Sequence, residues 1–315
     1  SDAAGNTGTS TPFNFAIDTV APFSSVTRPI YSGFLPVAYQ SYWSSTWGDP
    51  GAFSLDNGNV VAILSDLVWK INADGTQDYF NTSPDGFYYT FGNYSFGGGG
   101  VDPQGQYVFA ASVSSYYYSV DDGTKYFVPS SLYQYSGFSD AAVTYNGFVA
   151  ANYLRNQVIY GPSIEITVAD TVQHTSNVYS LNFYNDFDFA SDTQQYNGFF
   201  LKSISTSVDG REILLTGDSG LIGQNANSTT AWVAAYDTQG QPLWFSDIRP
   251  FLRPDNTPFV NGWKVKGLSN GDVFAYGWGR GTTSPTSTNY GWTYPEYITR
   301  LDKATGIPLW TYVFN

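Results

Sequence analysis

One short phrase recurs along this chain, and its recurrence limits the chain to a few architectures. Its clearest copy is Leu301-Asp302-Lys303-Ala304-Thr305-Gly306-Ile307-Pro308-Leu309-Trp310, with the tryptophan four residues beyond the glycine. The phrase reads as a strand, a tight turn and a second strand that carries a large ring. A second copy is Tyr236-Asp237-Thr238-Gln239-Gly240-Gln241-Pro242-Leu243-Trp244. Weaker copies lead from Gly75 to Tyr79 and from Gly123 to Phe127. A single hairpin cannot bury its own apolar face, so a repeated one implies a radial or stacked β architecture.

Another hairpin signal precedes each phrase. Gly58 opens into Val60-Val61-Ala62-Ile63-Leu64, Gly105 into Tyr107-Val108-Phe109-Ala110, and Gly147 into Phe148-Val149-Ala150. Gly210 and Gly271 open into Ile213-Leu214-Leu215 and Val273-Phe274-Ala275-Tyr276. Asn-Gly and Asp-Gly between β-rich runs favour tight hairpins because both residues tolerate positive φ. Two turns together define a unit of four antiparallel strands, the blade of a β-propeller. These glycines lie 47, 42, 63 and 61 residues apart, and the first two intervals match the ~40–50 residues of a blade. The longer intervals require insertions, expected at 217–230 and 277–296 between the second and third strands. The third unit has only a poor second turn, near Gly161-Pro162, and an irregular stretch over 170–197.

The expected fold is therefore all-β, a propeller of four-stranded blades with very little helix. Six blades are expected within a range of five to seven, the sixth being sought in residues 10–50 or in the third gap. Composition agrees: the acidic residues are 23 Asp against Glu165, Glu212 and Glu296, and Asp favours turns where Glu favours helices.

Asp302, Thr305, Gly306 and Trp310 resemble the tryptophan-docking motif of the quinoprotein (PQQ-like) propellers. The resemblance implies that the ring of one blade packs on the next, which assigns blade docking to Tyr79, Phe127, Trp244 and Trp310. It implies a fold and carries no activity: the dehydrogenases of that group place adjacent cysteines beside their quinone, and this chain has no Cys.

Ahead of the repeats, residues 1–37 read as a flexible Gly/Ser/Thr-rich tail with one strand at about 13–19; the propeller occupies 38–315. In that strand Phe13, Phe15 and Ile17 alternate with polar residues at period two. It either closes the chain's own ring or adds to the sheet of a neighbouring copy.

The net charge is −13, with 13 basic residues scattered singly. Nucleic acid and anionic membrane surfaces require a cationic patch, so neither is an expected partner. No apolar run reaches the ~20 residues that span a bilayer. Without Cys there is no disulfide scaffold, thiolate metal site or thiol chemistry. His174, the only histidine, lies in a polar stretch and reads as an ordinary surface residue. Asp186, Asp188 and Asp192 offer a weak oxygen set for calcium; no other cofactor is expected. Asn81, Asn93 and Asn227 begin glycosylation sequons.

The rim at 277–296 is the better functional clue. It holds Trp278, Tyr290, Trp292 and Tyr294 among small polar residues, a composition suited to sugar rings or to a protein partner. The leading expectation is an extracellular, non-catalytic structural or adhesive protein at the cell surface, exported after loss of a signal segment. Its partners are copies of itself or other surface components. The alternative is a glycan-binding or glycan-processing propeller that uses the aromatic rim.

Overall fold

Asp and Gly set the turns, and the turns divide the chain into sheets. The structure, a computed structural model, describes residues 51–64, 67–82, 98–111, 116–129, 140–154, 163–187, 196–221, 229–248, 260–279, 281–282, 292–293 and 296–314. The chain forms two units, Ser1–Thr46 and Trp47–Asn315; all described residues belong to the second.

These residues build five four-stranded sheets and one small ribbon. The first sheet comprises β1 (Gly51–Ser54), β2 (Val60–Leu64), β3 (Leu67–Ile71) and β4 (Gln77–Thr82). The second comprises β5 (Gly99–Val101), β6 (Tyr107–Ala110), β7 (Tyr116–Ser119) and β8 (Lys125–Phe127). The third runs through β9 (Asp140–Thr144), β10 (Gly147–Leu154), β11 (Ser163–Asp170) and β12 (Thr175–Leu181). After the single-turn helix α1 (Phe183–Asp186) come β13 (Tyr196–Thr206), β14 (Glu212–Leu221), β15 (Thr229–Asp237) and β16 (Pro242–Ile248). The fifth sheet is β17 (Val260–Gly267), β18 (Val273–Gly279), β21 (Glu296–Leu301) and β22 (Pro308–Phe314), with the ribbon of β19 (Gly281–Thr282) and β20 (Trp292–Thr293) inserted in it. Every sheet is an antiparallel meander.

The first strand of each sheet lies against the first strand of the next, from β1 through β5, β9 and β13 to β17. Sheets whose leading strands neighbour one another radiate from an axis, which is the β-propeller arrangement. Apolar cores fill the gaps between consecutive sheets. Val61 meets Val108 and Tyr118, while Phe109 and Tyr117 meet Ala141 and Phe148. Ile164 and Ile166 meet Ile213 and Trp232, and Leu214, Val233 and Trp244 meet Val265, Ala275 and Tyr297. The described residues hold five blades against the six expected. The third gap is spent on β12 and α1, so it hides no blade; residues 10–50 lie outside the described residues.

The excess of Asp has a local cause. Asp102 accepts from the Gln106 and Tyr107 amides, Asp237 from Gln239 and Gln241, and Asp302 from Ala304 and Thr305. Such Asx turns leave the glycine that follows in the left-handed region, where a Cβ is costly. Eight turn glycines adopt φ between +69° and +91°.

The third sheet departs from the expected pattern. Its second turn is not at Gly161-Pro162 but at Asp170–His174, where Asp170 accepts from the Val172 and Gln173 amides. His174, at φ 54°, occupies the place that glycine holds elsewhere. Its imidazole stacks on Tyr126 at 4.3 Å and 4°, with the Tyr117 hydroxyl 3.2 Å from Nδ1. Stacking is worth about 0.5–1.5 kcal/mol and offsets a left-handed non-glycine residue at about 1–2 kcal/mol. His174→Gly should therefore change stability by less than about 1 kcal/mol, while His174→Ala keeps the strain, loses the ring and should cost about 0.5–1.5 kcal/mol. Urea unfolding of both variants checks this, and a more stable His174→Ala would contradict it.

Docking follows the repeat in part. Trp244, 6% exposed, packs on the next blade's turn: its Nε1–H donates to the Lys303 carbonyl at 2.8 Å, and a Cβ on Gly306 would enter its ring. Tyr179, which the repeat did not single out, does the same on Gly240. Phe127 meets Tyr116 of its own sheet. It is 52% exposed, and its neighbour Tyr126 covers the third blade's turn instead. Trp310 packs on Phe274 and Tyr312 of its own sheet. Tyr79 lies in β4.

The described residues of the expected insertions are strand. Residues 217–221 extend β14 and 229–230 open β15, while Trp278 lies within β18. No helix among the described residues is long and apolar enough to cross a membrane.

Candidate functional site on the fifth sheet

Strand alternation gives the fifth sheet two unlike faces. Val273, Ala275 and Gly277 on β18, with Tyr297, Thr299 and Leu301 on β21, are buried toward the fourth sheet. Their alternates form the other face: Phe274, Tyr276 and Trp278 on β18, Glu296, Ile298 and Arg300 on β21, and Trp310, Tyr312 and Phe314 on β22. Cross-strand register places these in rows, Phe274–Arg300–Trp310, Tyr276–Ile298–Tyr312 and Trp278–Glu296–Phe314. Four cores join the five sheets in succession; among the described residues none joins the fifth to the first.

Among the described residues, strand β22 is the outermost of this sheet and pairs only with β21. Its residues are exposed apart from half-buried Trp310. Leu309, Tyr312 and Phe314 expose 51%, 63% and 54% of their surface, although alternate residues of a strand point to opposite sides. An apolar strand open along its edge offers a row of unpaired amides and carbonyls to another chain.

Toward the opposite edge of the sheet, Trp263, Tyr276, Trp278 and Glu296 line a shallow cleft of about 510 Å³. A bulge between Gly262 and Lys264 on β17 turns Trp263 outward. Glu296 faces Trp278 directly across β18 and β21. Burial, the larger cause, and the neighbouring Glu296 carboxylate together hold the Tyr276 phenol above its ordinary range.

Of the expected rim residues, Trp278 lines the cleft and Trp292 belongs to the backbone of β20; Tyr290 and Tyr294 lie outside the described residues, as do Phe13, Phe15 and Ile17. Trp263, Tyr276 and Glu296 escaped the sequence reading because they stand inside strands. Asn-Gly-Trp at 261–263, a glycine within a strand pattern, was the signal that a bulge would reorient a ring.

Asp186 is occupied on α1, where its carboxylate accepts from the Tyr236 hydroxyl at 2.9 Å and from the Asn182 amide. Asp188 and Asp192 lie outside the described residues. No group of three or more metal-ligating side chains occurs among the described residues. Asn81 is in β4, while Asn93 and Asn227 lie outside the described residues.

A second polar feature sits at the axis. Asp140 opens β9, is 3% exposed, and accepts from the Gly98 amide, the Ile204 amide and the Ser203 hydroxyl. Lys264 Nζ lies 3.9 Å away. One carboxylate thus joins the second, third, fourth and fifth sheets.

No family model and no curated protein sequence matches this chain. Among solved structures it is similar to Kuenenia stuttgartiensis hydrazine synthase, at TM-score 0.48 and 12% identity, over 81% of this chain and 65% of that one. It is also similar to BamB from Moraxella catarrhalis, at TM-score 0.41 and 13% identity, covering 83% of this chain and 75% of that one. A streptogramin B lyase structure matches at TM-score 0.39 and 12% identity, over 86% and 84% of the two chains. These are likenesses at low identity, and no activity passes from those proteins to this chain.

Proposed function

We propose that this chain is an extracellular, non-catalytic structural or adhesive component that assembles with copies of itself. In this reading the strand at 13–19 of one copy adds to the open edge of β22 in another, with Phe13, Phe15 and Ile17 set against the ring-bearing face. One observation carries the proposal: β22 is an edge strand exposed along its length and composed almost wholly of apolar and aromatic residues. Soluble proteins normally blunt such an edge with charge or proline inside the strand. Here the only proline, Pro308, stands at its first residue. Strand addition uses the backbone for affinity and alternate side chains for specificity, and the period-two pattern at 13–19 suits that use.

A chain lacking residues 1–20 should keep the β-rich circular dichroism of the full chain and its melting behaviour, yet form no polymer visible by electron microscopy. Replacing Tyr312 and Phe314 with Lys in the full chain should have the same effect from the acceptor side. Polymers undiminished by both changes would end the strand-exchange reading. The cleft on the same sheet suits a ligand of different chemistry.

A further inference from the structure

The lining of the cleft specifies a charge. Trp263, Tyr276 and Trp278 contribute three aromatic rings and Glu296 a carboxylate; among the described residues no basic side chain takes part. Lys264, the cross-strand partner of Tyr276, carries its ammonium near Asp140 instead. Arg300, beyond Ile298 on the same face of β21, is paired with Asp272. The Glu296 carboxylate, beside the Tyr276 phenol, offers the cleft hydrogen-bond acceptors.

We propose that this cleft binds an alkylammonium group. Aromatic faces attract a cation through their quadrupoles, most strongly when the cation is partly desolvated and the ring is Trp. The carboxylate supplies the compensating charge, opposite Trp278. The volume falls within the range of small-molecule sites, and the net charge of −13 favours the approach of cations over anions. This site is independent of the β22 edge and of the assembly proposed for it.

The same chemistry can come from a free quaternary amine or from a methylated lysine on a protein, and two arms separate these sources. Full-length protein is titrated with choline chloride and with a short peptide bearing trimethyl-lysine, followed by tryptophan fluorescence and calorimetry. The neutral isostere 3,3-dimethylbutan-1-ol and methyl glucoside serve as competitors of other classes. Choline or the peptide should bind about tenfold or more tightly than the isostere, as expected for cation–π contact with several rings. Trp278→Ala should weaken that binding about tenfold and Glu296→Gln about fivefold, with unchanged thermal unfolding. The tighter arm identifies the source. Equal binding of the neutral isostere, preference for the glucoside, no binding of any probe, or unaltered affinity in folded Trp278→Ala would each overturn the proposal.

Discussion

Trp244→Ala is expected to lower stability by about 3–5 kcal/mol, the cost of removing a large ring from a close-packed site. The side chain fills the junction of the fourth and fifth sheets among Val233, Ala235 and Val273 and donates its indole N–H to the Lys303 carbonyl. Its loss leaves a cavity and an unpaired carbonyl in one step. Trp310 has the same place in the repeat but, among the described residues, meets rings of its own sheet alone, so Trp310→Ala should cost about 1 kcal/mol. Denaturant unfolding of the pair tests the comparison. Equal losses would show that the ring matters for its own hairpin and does not staple one blade to the next.

The second large effect belongs to Asp140. Alanine there strands the Gly98 and Ile204 amides and the Ser203 hydroxyl, each costing about 1–3 kcal/mol when buried without a partner. Together they amount to about 3–5 kcal/mol, because water regains partial access to the stranded groups. Asparagine preserves the shape but turns an N–H toward one of these donors and should recover only part of the loss. Burial, the largest influence, raises the Asp140 pKa, opposed by the Ile204 amide and Lys264. A raised folded-state pKa means that the native protein binds the proton more tightly than the unfolded chain. This contribution is complete below the unfolded value of 3.8 and is lost as pH rises through the folded value. Wild type should therefore show a component that gains stability on acidification in that window, and Asp140→Asn should lack it. Urea midpoints across mildly acidic pH read the difference; identical profiles would remove Asp140 from the account.

Much of the fold was legible because turns are local. Asp302 and Gly306, or Asp237 and Gly240, encode their conformation within five residues, and four such hairpins imply the rest. Where the turn is written with other residues, the signal fails. Asp170–His174 lacks glycine, and a stacked Tyr126 from the preceding sheet compensates for it, a contact absent from local sequence. Phe127 and Tyr126 are adjacent, and only the strand's facing decided which ring docks. The candidate site was legible through Trp278 alone. Trp263 depends on a bulge, and Glu296 gains meaning from standing opposite Trp278 across two strands separated by an inserted ribbon.

By itself the amino-acid order determined the blade: its meander, its left-handed turns and its alternation of apolar and polar positions, because each follows from backbone preferences over a few residues. Tertiary structure alone decided which blades touch, which ring meets which turn, where Asp140 is desolvated, and that the rings of the fifth sheet and its last strand face outward. Those outcomes depend on atoms far apart in the chain being brought within a few ångströms, and burial, charge and open edges have no value until that packing exists.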